Sequence, residues 1–154
     1  MQLYILGGGE ARYEDIFSRM AERYPHKVFL ETAYTDELAK YMYAGCDATI
    51  MPSLFEPCGL SQLMALRYGT VPLVRRTGGL KDTVKIYQEK YHTGTGFGFE
   101  AYTEEALNGA LRYMLLVYQD HSAEWQGIVK RGMEQDFSWG TSAGEYVKLY
   151  EQMG

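Results

Sequence analysis

Short apolar runs alternate along this chain with longer stretches in which apolar residues recur every three or four positions. Residues 2–6 (QLYIL) form the first such run, and the glycines after it break the pattern before YEDIFSRMAERY. In that second stretch Ile16, Phe17, Met20, Ala21 and Tyr24 share one helical face, so a strand, a turn and an amphipathic helix are predicted. KVFLE predicts a second strand, and residues 35–44 a helix with Thr35 as N-cap and Asp36 and Glu37 in its first turn. DATIMPS reads as a third strand stopped by Pro52. LSQLMALRYG then reads as a helix ended by Gly69, VPLVR as a fourth strand and LKDTVKIYQ as another helix.

From about residue 88 the rhythm changes. Gly94, Gly96 and Gly98 mark a loop leading into a short strand at residues 97–99. A helix follows with Thr103 as N-cap, Glu104 and Glu105 in its first turn, and Ala106, Leu107, Ala110, Leu111, Met114 and Leu115 on its buried face. Two more helices close the chain. The last, within residues 136–154, has a capping-box spacing from Ser142 to Glu145 and a stripe of Tyr146, Val147, Leu149, Tyr150 and Met153, for which core packing is the favoured reading and an interaction face the alternative. Strands and helices alternating across short connections predict an α/β fold: parallel strands, right-handed crossovers and helices on both faces.

A chain of 154 residues is the size of one ordinary domain, and no internal repeat or linker divides it. Its net charge of -5 lacks the basic excess of a nucleic-acid binder. No apolar run is long enough to span a bilayer, and the N-terminal residues carry no basic region or cleavage site, so a cytoplasmic protein without membrane partners is expected. Cys46 and Cys58 have neither C-x-x-C spacing nor a nearby histidine pair, which predicts reduced thiols and no metal site. His26, His92 and His121 are scattered and suggest no catalytic arrangement. No cofactor is implied. The 14 tyrosines fit either a core or an interface.

Two glycine-rich stretches are placed where a ligand could be held. LGGGEAR joins the first strand to the first helix, but Arg12 stands where a dinucleotide fingerprint needs its third glycine, and a plain tight turn is the simpler reading. The stretch from Met51 to Val84 has more chemistry. Its loop carries Glu56, Pro57, Cys58 and Gly59 from the end of a strand to the start of a helix, the side of a parallel sheet where such folds bind ligands. A carboxylate beside unpaired backbone N–H groups suits a polyhydroxylated or phosphorylated ligand, though Glu56 could equally cap the helix. RRTGGLKDTV follows the next strand, so Thr77, Gly78 and Gly79 would open onto the same edge. Arg75 and Arg76 there either reach phosphate or serve as packing and ion-pair residues.

PSLFEPCGLSQLMALRYGTVPLVRRTGGLKDTV resembles the signature of bacterial glycogen synthases and plant starch synthases, retaining glucosyltransferases that use a nucleotide-glucose donor. TGFGFE, DFSWGTSAGEYVKLY and LGGGEARYEDIFSRMAERYP are similar to further segments of that family, so the resemblance covers nearly the whole chain. It implies the Rossmann-like C-terminal half of a two-domain GT-B enzyme, a donor-binding domain inactive alone. Its partners would be ADP-glucose and an α-1,4-glucan acceptor bound through an N-terminal domain. By that resemblance, Glu56 holds donor-glucose hydroxyls with the amides of Cys58 and Gly59. Leu60 and Ser61 lie by the phosphates or ribose, Tyr34 lies against adenine, and Gly78 and Gly79 shape the cleft floor. Met64 stands where related glycosyltransferases carry a second glutamate, a departure that starch and glycogen synthases share. A noncatalytic nucleotide- or glucan-binding module, or another nucleotide-sugar transferase of the same fold, is the alternative.

Overall fold

The computed structural model describes residues 1–153 and divides into two compact units, Met1–Gly45 and Cys46–Gly154. In the first unit β1 (Leu3–Leu6), α1 (Ala11–Arg23), β2 (Val28–Glu31) and α2 (Asp36–Gly45) follow in order. β1 and β2 pair in parallel, Leu3 opposite Val28 through Leu6 opposite Glu31. Thr35 caps α2 as expected, its hydroxyl accepting the Leu38 N–H at 3.2 Å. Phe17, Met20 and Ala21 turn the apolar side of α1 inward, whereas Ile16 and Tyr24 are exposed. Tyr4 and Phe29 stack on an exposed face of the pair with ring centroids 4.6 Å apart.

The second unit holds β3 (Ala48–Met51), α3 (Ser61–Tyr68), β4 (Val71–Arg75), α4 (Gly78–Thr83), β5 (Phe97–Phe99), α5 (Glu104–Asp120), α6 (Ser122–Met133) and α7 (Trp139–Met153). All three strands are parallel, in the order β3-β4-β5. β4 is central, and its Val71, Pro72, Leu73 and Val74 are buried, as a continuous apolar run in a parallel sheet should be. Pro72 is tolerated there because pairing with β5 begins only at Leu73 opposite Phe97, so no ladder bond from its missing N–H is lost on that side.

The α/β alternation is therefore present with parallel strands throughout, but the hydrogen-bonded pairs form two sheets. Alternation reports that consecutive strands run the same way; it carries no information on which of them pair. The main core of the second unit packs β4 and β5 against α5 and α6 around Phe97, Leu73, Met114, Val117, Trp125 and Ile128. Phe97 sits centrally, edge-on to Tyr113 at 5.7 Å and stacked with Trp125 at 6.2 Å. Thr103 caps α5 as its sequence predicts, accepting the Ala106 N–H.

Two helices depart from expectation. α4 starts at Gly78 and stops at Thr83, where a helix through residue 88 was expected. The β-branched Val84 and Ile86 continue as extended backbone, with Ile86 bridged to Gly96, Tyr87 N–H on the Gly96 carbonyl and Thr95 N–H on the Lys85 carbonyl. α7 begins at Trp139, so Ser142 lies inside it rather than at its cap. Its entry turn is held by Asp136, which accepts the Ser138 N–H and the Thr141 hydroxyl and whose carboxyl is thereby kept below the usual range. The α7 stripe is not core: Tyr146, Val147, Leu149, Tyr150 and Met153 are all exposed.

Candidate functional site

The loop from β3 to α3 is short of regular structure yet closely held. Arg75, at the end of β4, donates from Nη1 to the Ser53 carbonyl at 3.3 Å and the Leu54 carbonyl at 2.6 Å, and from Nε to the Glu100 carbonyl at 3.1 Å. The Gly79 N–H divides between the carbonyls of Glu56 at 3.1 Å and Pro57 at 3.2 Å. Gln62 Nε2 donates to the carbonyls of Cys58 at 3.0 Å and Gly59 at 2.9 Å. Six loop carbonyls, those of residues 53, 54, 56, 57, 58 and 59, are thus taken by donors from the framework.

This inward turn of the carbonyls fixes where the amides go. In a trans peptide the C=O of one residue and the N–H of the next point to opposite sides, and every described peptide bond is trans. With the carbonyls of Pro57, Cys58 and Gly59 drawn inward, the N–H groups of Cys58, Gly59 and Leu60 face away from the framework. Among the described residues none of the three has a protein acceptor. They run directly into the start of α3, whose first turn contains no acidic residue and whose Leu60 N-cap makes no side-chain bond. The unpaired donors and the positive end of the helix dipole therefore coincide.

Glu56 does not cap α3. Its half-buried carboxylate accepts the Ser53 hydroxyl on Oε2 at 3.4 Å, a long bond to one oxygen that leaves capacity for further donors. Leu60 and Ser61 are exposed at the helix start, and the Cys58 thiol is free and exposed. Gly78 and Gly79 lie tight against the loop: a Cβ on Gly78 would run into the Glu56 carbonyl, and one on Gly79 into the backbone of Cys58. The structure thus brings Glu56, Cys58, Gly59, Leu60, Ser61, Gly78 and Gly79 together.

The remaining candidates have other roles or belong to the other unit. Arg75 is committed to backbone carbonyls and lies 5.4 Å from the Tyr102 ring centroid, and Arg76 pairs with Glu100 at 2.5 Å. Both take the packing and ion-pair role rather than presenting a free cation. Tyr34 belongs to the first unit, in the turn between β2 and α2, 59% exposed, its phenol held above its ordinary pKa by desolvation and by Asp36. The first glycine turn caps itself: the Gly9 N–H donates to Glu14 Oε1 at 2.8 Å and the Gly7 N–H to the Glu31 carbonyl at 2.9 Å. It reads as a plain turn. Gln62 is the contributor that the sequence did not suggest, since nothing local marks a glutamine in a leucine-rich helix turn as a loop anchor.

Residues 1–126 match the family model of the group 1 glycosyl transferases. The chain belongs to that family. Among curated relatives, the glycogen synthase of Lachnoclostridium phytofermentans is 52% identical over 152 residues, 99% of this chain and 32% of its own length. The glycogen synthase of Caldicellulosiruptor saccharolyticus is 51% identical over 153 residues, again 32% of its length. This member of the family therefore spans about a third of the curated relatives it matches. The catalytic domain of starch synthase IV from Arabidopsis thaliana, solved bound to ADP and acarbose, superposes with a TM-score of 0.84 at 35% identity, over 98% of this chain and 32% of that one. Its solved neighbours are GT-B glycosyltransferases, which agrees with the α/β architecture.

Proposed function

We propose that the chain is the donor-binding domain of a retaining glucosyltransferase that moves glucose from ADP-glucose to the nonreducing end of an α-1,4-glucan in the cytoplasm. The observation that carries this reading is the row of outward N–H groups at Cys58, Gly59 and Leu60, set at the start of α3 beside the Glu56 carboxylate. Amides and a helix N-terminus stabilise an anion, and a carboxylate accepts from hydroxyls. A nucleoside diphosphate sugar offers both in one molecule. In this reading the Cys58, Gly59 and Leu60 amides receive the diphosphate, with Ser61 alongside. Glu56 takes sugar hydroxyls, and Gly78 and Gly79 keep the floor low.

Transfer expels a nucleoside diphosphate, so negative charge grows on the leaving oxygen as the glycosidic bond breaks. Fixed amide dipoles aimed at that charge need no reorganisation at the moment of reaction, which is where such groups have their largest effect. The acceptor glucan would be bound by the remainder of a longer protein. The names of the relatives support glycogen or starch synthesis, and the starch synthase solved with ADP supports an adenine nucleotide.

Calorimetric titration of the chain with ADP-glucose, ADP and UDP-glucose tests the reading. Binding of the adenine compounds in preference to UDP-glucose is the expected result. A folded sample that binds none of them at millimolar concentration would sink it.

A further inference from the structure

We infer that Gln62 is a positioning residue for the donor: its side-chain amide sets the direction in which the Gly59 and Leu60 amides point. This rests on the donor-binding reading above and adds to it a residue that touches no ligand. Gln62 is fully buried in the first turn of α3. One nitrogen with two hydrogens reaches three oxygens: the Cys58 and Gly59 carbonyls and, at 3.2 Å, Thr83 Oγ1 on α4. Thr83 in turn donates to the Gly79 carbonyl at 2.7 Å. The same amide therefore joins the β3–α3 loop to the helix whose Gly79 N–H holds the Glu56 and Pro57 carbonyls.

Two further observations set this apart from ordinary core packing. Gln62 Oε1 is buried without a hydrogen-bond partner, a cost that a hydrocarbon side chain of similar length would not incur. Gly59 has φ +75° and a Cβ there would collide with the Gln62 carboxamide, so the loop is closed directly onto this group. Pulling the Cys58 and Gly59 carbonyls inward is the act that turns the Gly59 and Leu60 N–H groups outward. Without the amide the two peptide planes lose their anchor and rotate.

The test titrates ADP into the chain and its variants Gln62→Met, Gln62→Glu and Leu66→Ala, with thermal melts on each. Gln62→Met should weaken ADP at least tenfold in a sample that still melts cooperatively. Leu66→Ala removes buried bulk from the same helix; it should lower the melting temperature at least as far and leave ADP affinity within twofold. Gln62→Glu adds a readout that a purely structural role would not give. Ionised, it presents no donor to the two carbonyls; protonated, it restores one. The ratio of wild-type to Gln62→Glu affinity should therefore shrink as pH is lowered from about 8 to about 5.5, titration of ADP itself cancelling in the ratio.

Wild-type affinity in folded Gln62→Met, or parallel losses in Gln62→Met and Leu66→Ala, overturns the inference while leaving the donor reading intact. Failure of the folded wild type to bind ADP overturns the donor reading, and this inference with it. Should Gln62→Met not fold, Thr83→Val decides: a threefold or greater loss is expected, and unchanged affinity overturns the role.

Discussion

The chain has two glycine runs at strand-to-helix turns, and they use the missing side chain in different ways. In the first, Gly7 adopts φ +129° while Cβ atoms built on Gly7 and Gly9 would meet nothing within 4 Å. At those two positions the run supplies backbone freedom in open surroundings, Gly8 between them lies near the Glu14 carboxylate and the Thr32 carbonyl, and Glu14 consumes the Gly9 N–H. In the second, Gly78 and Gly79 have another stretch of backbone lying where their side chains would be. There the absence of Cβ makes room for the Glu56 loop, and the Gly79 N–H is spent on holding it. One run bends the chain; the other brings two loops into contact.

Substitution should separate them, and the largest effect is expected at Gly79. Gly79→Ala forces a methyl into the Cys58 backbone, which cannot yield as a side-chain tip can. Urea unfolding should show a loss of about 3 kcal/mol, together with loss of ADP binding. A loss under about 1 kcal/mol would mean that the two loops part easily, and the contrast between the runs would fall. Arg75→Lys probes the opposite side of the same loop. A lysine cannot reproduce a guanidinium shared among the carbonyls of Ser53, Leu54 and Glu100, so a loss of about 2 kcal/mol is expected by urea unfolding.

Tyr87→Phe checks that damage at the second run is local, because Tyr87 lies in the main core of the same unit. Its hydroxyl donates to Glu124 at 2.9 Å, an interaction whose removal should cost about 1 kcal/mol and leave ADP binding unchanged. Burial and Glu124 push the Tyr87 phenol up to about 12 from its ordinary 10.0. The folded state therefore favours the neutral phenol, so this contribution is whole below pH 10 and is lost as pH rises towards 12. Wild-type stability should accordingly fall more steeply than that of Tyr87→Phe across that window. Gly9→Ala should do least. With no neighbour and no left-handed φ, stability should change by no more than about 0.5 kcal/mol.

Much of this fold could be read from residue order. Strand positions, the Thr35 and Thr103 caps and the left-handed Gly69 that ends α3 follow from hydrophobic period and local turn chemistry, and all are present. What failed depended on distant partners. Val84 and Ile86 carry a pattern that suits a helix until Gly96 and Thr95 offer backbone partners. The α7 stripe has core spacing, but periodicity shows that a face is apolar without showing what covers it, and here it is exposed. In the candidate site the residues that meet were legible because they lie at the ends of adjacent strands. Gln62 and the commitments of Arg75 were not: Arg75 bonds to backbone carbonyls 21 to 25 residues away, Gln62 to two nearby carbonyls and to the Thr83 hydroxyl 21 residues on, and carbonyls carry no sequence signature.

The same dependence on backbone has a consequence for how the site can be mapped. In the proposed donor-binding reading, the donors at Cys58 and Leu60 belong to the main chain, so truncating either side chain to alanine would leave their interaction with the donor in place. An alanine scan across this loop would report Glu56 and pass over the amides beside it. Proline replacement or amide-to-ester substitution is what would expose them, since each removes the N–H itself. For the same reason these positions are free to vary in side chain while keeping the site, and tolerance to substitution there is no sign that the position is idle.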